Sequence, residues 1–291
     1  MSHKLAVIMD APELIHADHD SSLALIEEAK RRNYEVHQYQ QKDLVLRDGK
    51  TFFNTIPLSD YKIILMRKDP PVDQEYLYTT ILLDLAVKEG VVVINNPQSL
   101  RDCNEKLFIS WFPHCCAPTL TTFNSELIYD FLVIHKDIIL KPLNGMGGQG
   151  IVRVKLEDPK AQEIINTATH HGTVRAMAQL YLPEIKQGDK RIIMMHGKPI
   201  PYALSRFAKP GEIRANLAAG GSYEKAELTK KDLYICEQVG PVLKSKGLLF
   251  VGLDIIGNYL TEINVTSPTC LREIDKLFGV NTASYLFDNL D

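Results

Sequence analysis

The chain lacks a basic excess. Its 291 residues carry 33 Lys and Arg against 36 Asp and Glu, a formal net charge of -3. A nucleic-acid or anionic-membrane binder needs a cationic surplus, so neither class is expected. A phosphate site is not excluded, because it needs only a few local cations and backbone N–H groups. Also lacking is any apolar run near the roughly 20 residues of a membrane helix. The longest candidates, 61–66 and 90–94, are strand-sized. The opening apolar run meets Asp10 at once and is not expected to be a signal peptide. The five cysteines (Cys103, Cys115, Cys116, Cys236 and Cys270) are odd in number and contain no Cys-x-x-Cys pair. Neither a disulfide framework nor a zinc site is expected, and a reducing cytoplasm fits. His114-Cys115-Cys116 reads as a helix end with small apolar thiols, because adjacent ligands rarely close a tetrahedral metal site. No GxGxxG follows the first apolar run, so a dinucleotide site there has no support.

What is present reads as α/β, turning to α+β in the C-terminal half. Strands are predicted at 4–9, 34–39, 61–67 and 91–95, with helices at 23–32 and 75–88. Asp20-Ser21-Ser22 is the N-cap cluster of the first helix. This βαβ rhythm implies a mostly parallel sheet with helices on its faces. A helix over 99–112 follows, with Leu100, Cys103, Leu107 and Trp111 as its buried stripe, and Pro113 breaks it. The pattern then changes. A helix at 125–135 leads to a strand at 137–140, a glycine-rich turn and a strand at 151–154, which together make a hairpin. A helix at 161–169 and strands at 176–181, 191–195 and 199–205 come next. A loop over 210–221, a helix over 230–246 and a terminal hairpin over 249–264 complete the chain. Three domains are expected, at 1–120, 121–200 and 201–291.

Two segments carry chemistry. The first is Lys141-Pro-Leu-Asn-Gly-Met-Gly-Gly-Gln-Gly150, where a strand-ending lysine precedes four glycines. Glycines let backbone N–H groups turn toward an anion, and the lysine adds a mobile positive charge. The order is the reverse of a Walker A loop. The second is Phe250-Val-Gly-Leu-Asp254-Ile-Ile-Gly-Asn-Tyr-Leu-Thr-Glu262-Ile-Asn264. Its carboxylates interrupt apolar strands, and burying them is costly unless they meet a cation. Two carboxylates and an amide suit magnesium shared with substrate phosphates. Glu262 and Asn264 lie two apart on one face. A two-residue Gly257-Asn258 turn would pair Asp254 with Thr261, whereas a three-residue loop over 257–259 pairs it with Glu262. The longer loop, with a metal between the two acids, is expected.

Weaker signals surround these. Lys106 could reach a phosphate, although a surface lysine is the plainer reading. Asp189 sits at a strand start, where it is either a ribose hydroxyl acceptor or a turn aspartate. Arg206, Arg214 and Asn216 flank a Gly/Ala-rich loop, which is either a lid or an ordinary exposed connection.

Taken in order, these residues resemble the ATP-grasp superfamily. Met66-Arg-Lys-Asp-Pro-Pro71, Asn96-Pro-Gln-Ser-Leu-Arg-Asp-Cys-Asn-Glu-Lys-Leu-Phe108, Ile139-Leu-Lys-Pro-Leu-Asn-Gly-Met-Gly-Gly148, Phe250-Val-Gly-Leu-Asp-Ile-Ile-Gly257 and Leu260-Thr-Glu-Ile-Asn-Val-Thr-Ser-Pro-Thr-Cys270 resemble the bacterial glutathione synthetase family within it. The resemblance spans nearly the whole chain. It implies an N-terminal Rossmann-like parallel sheet followed by a two-part ATP-grasp fold, with ATP between the last two domains. It implies ligation of γ-glutamylcysteine to glycine through an acylphosphate, giving glutathione, ADP and phosphate. Lys106, Lys141, Gly145, Met146, Gly147, Gly148, Gln179, Leu180, Tyr181, Leu182, Asp189 and Arg191 are then implied as the ATP site. Arg206, Arg214 and Asn216 are implied as catalytic, and Asp254, Glu262 and Asn264 as ligands of magnesium, with manganese as the alternative. The implied partners are the three small substrates and, in a cytoplasmic homotetramer, copies of the chain itself; no nucleic acid or membrane is implied. Two departures stand out: Ala215 replaces the family's usual glycine, and the segment between Arg47 and Tyr61 is shorter than usual. Another ATP-grasp carboxylate–amine ligase is the competing reading. A non-catalytic ATP-binding scaffold would have lost the metal residues or the lid arginine. An oxidoreductase would need the missing dinucleotide fingerprint.

Overall fold

The computed structural model describes residues 3–209 and 220–290, so Arg214 and Asn216 lie outside the described residues. The βαβ rhythm yields a four-stranded, wholly parallel sheet in the order Glu35–Tyr39, Lys4–Ile8, Ile63–Met66, Val92–Ile94. Its central strands are buried on both faces, as a parallel sheet covered by helices requires. Leu5, Val7, Ile63 and Leu65 enter one core, while Ala6, Ile8, Ile64 and Met66 enter another. Asp20 caps the helix Ser21–Arg31 by accepting the Leu23 N–H at 2.9 Å. Asp73 caps Gln74–Lys88 in the same way, accepting from Tyr76 at 2.8 Å. A small antiparallel sheet (Leu44–Arg47, Lys50–Phe53, Ile56–Pro57) occupies the connection between the strands Glu35–Tyr39 and Ile63–Met66.

The single helix expected over 99–112 does not form. The chain makes the helix Pro97–Asp102, breaks, and resumes as a 3-10 turn over Leu107–Trp111. The Asn104 carboxamide oxygen accepts the N–H groups of Lys106 and Leu107 at 3.2 and 3.0 Å. This gives the backbone a local alternative to the helical ladder. The break rotates the following residues, so Phe108, Ile109 and Phe112 are buried while Trp111 is exposed. Leu107 is only partly buried against the same core.

The middle sheet is antiparallel, in the order Val152–Lys155, Asp137–Pro142, Ala176–Leu180, Thr119–Thr122. The helices Ser125–His135 and Ala161–Ala168 pack on it through Ile128, Leu132 and Ile165. The third sheet is antiparallel, in the order Ser222–Ala226, Lys198–Phe207, Asp189–Met195, Phe250–Ile256, Tyr259–Asn264. The boundary expected at 200 therefore falls inside a strand of this sheet, and the change between sheets comes at the 3-10 turn Pro183–Gln187. The expected boundary at 120 likewise cuts the strand Thr119–Thr122.

The first and third sheets share their cores. Ile64, Phe108, Ile192 and Val251 belong to one buried cluster, and Leu65, Ile193, Phe250 and Ile274 to a second. The middle sheet has a further core of its own under its two helices, but its Met177 enters the first of the shared clusters. Asn95 ties the first sheet to the terminal hairpin. Its buried carboxamide donates to the carbonyls of Phe250 and Val265 at 2.7 and 2.6 Å and accepts the Phe250 N–H at 2.9 Å. Asn95→Ala leaves those three buried groups unpaired. Equilibrium urea unfolding should show a loss of about 3 kcal/mol; a loss under about 1 kcal/mol would mean the link is redundant.

Candidate active site

The terminal hairpin sets Asp254 directly opposite Glu262 and Gly252 opposite Asn264. The pairing is the expected one, but its cause is different. Ile256 pairs with Tyr259 across a two-residue Gly257-Asn258 turn, and the register then shifts between Ile255 and Asp254. Thr261 is the extra residue of a β-bulge, and its hydroxyl donates to the Asp254 carbonyl at 3.1 Å. The bulge, not a longer loop, brings Glu262 and Asn264 to the face that carries Asp254.

That face opens on a cavity of about 320 Å³, lined from the middle and third sheets and from connections that follow strands of the first. Across it lie charged groups of alternating sign. Asp254, 4 % exposed, is the cross-strand neighbour of Arg191, whose guanidinium forks onto both carboxylate oxygens at 2.5 and 2.9 Å. Arg206 donates to the same carboxylate at 2.9 Å, and the Asn264 amide nitrogen does so at 3.1 Å. Burial alone would raise the Asp254 carboxyl, but Arg191 and Arg206 outweigh it and hold the group well below the usual carboxylate range. Arg206 also reaches Asp189, its own cross-strand partner, at 2.5 Å. Here burial dominates and, with the nearby Asp254 and Glu262 charges, pushes Asp189 up to about 7 against the pull of Arg206 and Arg191. The second Asp189 oxygen is buried and has no hydrogen-bond partner. Gly252 makes room for this arrangement: a Cβ there would lie 3.1 Å from the Arg191 side chain and 3.2 Å from Pro268.

Lys106 is not the surface lysine that its sequence context suggested. It is 5 % exposed, donates to the Gly145 carbonyl at 2.6 Å and pairs with Glu262 at 3.2 Å. Lys141 is also buried and donates to the Gln179 carboxamide at 3.0 Å. Burial lowers its pKa and Lys106 adds to the shift, while Glu262 opposes them. Gln179 donates onward to Thr119 at 3.0 Å, so its amide braces Lys141. Gly145, Met146, Gly147 and Gly148 line the cavity, as do Leu180, Tyr181 and Leu182. Gly147 and Gly148 have φ of 64° and 73°, which a side chain would oppose.

Hard oxygen donors from Asp254, Glu262 and Asn264 therefore share one wall. Both Asp254 oxygens already accept from arginine, and among the described residues no group of three His, Cys, Asp or Glu side chains forms a metal cage. This donor set fits magnesium that completes its coordination with phosphate oxygens and water.

Several lining residues escaped the sequence reading. Ile139, Ile151, Ile185 and Ile256 give the cavity apolar surface. Ile139 and Ile256 stand two residues from Lys141 and Asp254, so strand alternation could have flagged them. Glu105 accepts the N–H groups of Val265 and Thr266 at 2.8 and 3.0 Å and the Thr266 hydroxyl at 2.8 Å, fixing the chain just after Asn264. His16, His19, Asp20 and Glu273 also line the cavity and carried no local signal.

Comparison with known proteins adds to this geometry. The family model described as prokaryotic glutathione synthetase, ATP-grasp domain, matches residues 105–279. The corresponding N-terminal domain model matches 3–56 and 52–101. A glutathione synthetase of Pseudomonas syringae pv. tomato is 49 % identical over 311 residues, covering 100 % of this chain and 98 % of that protein. One from Escherichia coli K12 is 48 % identical over 308 residues, covering 99 % and 98 %. A crystal structure of the D-cycloserine synthetase DcsG aligns with a TM-score of 0.73 at 12 % identity, over 99 % of this chain and 100 % of that one, which speaks for the fold alone.

The raised Asp189 pKa has a signed consequence. Between about pH 4 and pH 7 the folded chain keeps a proton on Asp189 that the unfolded chain has released, so this group erodes stability as pH rises through that window. Relative to the unsubstituted protein, Asp189→Asn should gain on the order of 1 kcal/mol per pH unit across it. Urea unfolding at several pH values checks this, and a pH-independent difference between the two proteins would contradict it.

Proposed function

The chain belongs to the prokaryotic glutathione synthetase family, and from that premise we propose how its residues join γ-glutamylcysteine to glycine. The reaction is an ATP-dependent ligation giving glutathione, ADP and phosphate. The observation that carries the residue assignment is the meeting, on one cavity, of the glycine loop, the buried Lys141 and the Asp254, Glu262 and Asn264 wall.

The cysteinyl carboxylate attacks the γ-phosphorus of ATP, ADP departs, and an acylphosphate forms. The glycine amine, having lost a proton, attacks the acyl carbon and phosphate leaves. Phosphoryl transfer asks the protein for position and charge neutralisation more than for a nucleophile. Lys106 and Lys141 hold the phosphates, and the Gly145, Met146, Gly147 and Gly148 backbone covers them. Gln179, Leu180, Tyr181 and Leu182 border the adenine. The unpartnered Asp189 oxygen takes a ribose hydroxyl, a role its burial in the cavity wall supports. Arg191 and Arg206 hold Asp254 in place and add positive charge beside the reacting groups. Arg214 and Asn216, outside the described residues, steady the transferring phosphoryl group. Asp254, Glu262 and Asn264 hold magnesium, for which manganese can substitute. The ion, when bound, neutralises the triphosphate. A three-part organisation, a cytoplasmic location and a homotetramer complete the proposal, the last two supported only by the family likeness.

Purified protein should release phosphate from ATP only when γ-glutamylcysteine, glycine and magnesium are all present. Equal turnover with unrelated amine acceptors would overturn the named reaction in favour of another ATP-grasp ligase. Glu262→Gln should lower kcat by about a hundredfold or more with the fold intact by circular dichroism; full activity would contradict the metal assignment.

A further inference from the structure

The mechanism leaves one buried anion unused. Glu273 lies in the first turn of the helix Leu271–Phe278, on the side of the cavity formed with the N-terminal sheet, and is 2 % exposed. One carboxylate oxygen meets Nδ1 of His19 at 2.7 Å. The other is buried and has no hydrogen-bond partner. An unpaired buried carboxylate oxygen is costly, and such a group is retained where something else meets it. Glu273 is not alone there. Asp20 and Asp69 line the same cavity. Arg272 is committed to Glu27 and Lys68 to Asp10. Arg67 donates to the Ser22 hydroxyl and the Pro268 carbonyl and keeps its charge beside Asp20 and Asp69. With three carboxylates to that one arginine, this end of the cavity carries an anionic excess, in contrast to the Arg191, Arg206 and Lys141 end.

We propose that Glu273, oriented by His19 and backed by Asp20 and Asp69, binds the α-ammonium of the γ-glutamyl group. This rests on the ligation reading above. Two substrate amines could enter such a pocket, and chemistry selects between them. The glycine nitrogen must shed a proton before it can attack, and an anionic pocket would hold it in the unreactive ammonium form. The γ-glutamyl ammonium takes no part in the reaction and remains charged throughout. A buried carboxylate oxygen is a strong acceptor for such a group. Glu273 thus acts in substrate selection and not as a base.

The test compares γ-glutamylcysteine with glutarylcysteine, which lacks only the α-amino group. The unsubstituted protein should prefer γ-glutamylcysteine in kcat/KM by about tenfold or more, the worth of one charge-assisted hydrogen bond. In Glu273→Gln that preference should collapse toward one, with the KM values for ATP and glycine unchanged. A preference kept in the variant, an equal loss on both acceptors, or a change that falls on glycine would each overturn the proposal. Should the variant not fold, calorimetric binding of the two acceptors to the unsubstituted protein with a non-hydrolysable ATP analogue decides the matter. Equal affinities there would overturn it. Failure of the unsubstituted protein to ligate γ-glutamylcysteine at all would instead overturn the underlying reaction.

Discussion

The site depends on a run of buried charges that alternate across three neighbouring strands. Asp189, Arg206, Asp254 and Arg191 form it, and two of its contacts follow cross-strand register, Asp189 with Arg206 and Arg191 with Asp254. Removing such groups from water is expensive, and their attraction offsets the cost only where geometry is good and the remaining hydrogen-bonding groups are met. The Arg191 fork on both oxygens of Asp254 meets that requirement. The Asp189 end does not, since one oxygen there is unpartnered. The asymmetry gives the two acids different characters within one network. Asp254 is held firmly ionised, and Asp189 is left with an unused acceptor facing the nucleotide side.

The architecture around this network supports the proposed places of the substrates. The first and third sheets share two apolar cores, so the Glu273 end of the cavity and the wall of Asp254, Glu262 and Asn264 belong to one packed body. Asn95 and Glu105 reinforce this by bonding the chain on either side of the hairpin ligands. The middle sheet, with a core of its own besides the one Met177 joins, contributes Lys141 and the glycine loop. In the proposed reading the phosphates lie between the middle and third sheets.

Much of this was legible in the sequence, and the parts that were not share a physical reason. Apolar runs broken by Asp254, Glu262 and Asn264 announced the terminal hairpin, and the lysine and glycines at 141–150 announced a loop that lines the cavity. The parallel sheet followed from the alternation of strand-sized and helical segments. Register was harder. Asp254 does pair with Glu262, but through a bulge at Thr261, and a bulge is set by tertiary packing more than by turn residues. Helical periodicity over 99–112 misled because the Asn104 side chain competes for backbone N–H groups, which moved Trp111 to the surface. Lys106 became a buried group by meeting Gly145 and Glu262, contacts that only the fold creates. The pairing of His19 with Glu273 spans 254 residues and has no local trace at all.

We infer that the arginines neutralise Asp254 beforehand, so that the wall of Asp254, Glu262 and Asn264 holds a divalent ion only together with the triphosphate. Manganese titration followed by electron paramagnetic resonance tests this most directly, with and without a non-hydrolysable ATP analogue. Without nucleotide, no saturable binding should appear below about a millimolar, the range of weak oxygen-ligand sites. With the analogue, one ion should bind much more tightly. Tight binding to the protein alone would show that the three side chains form a metal site by themselves and would contradict the account.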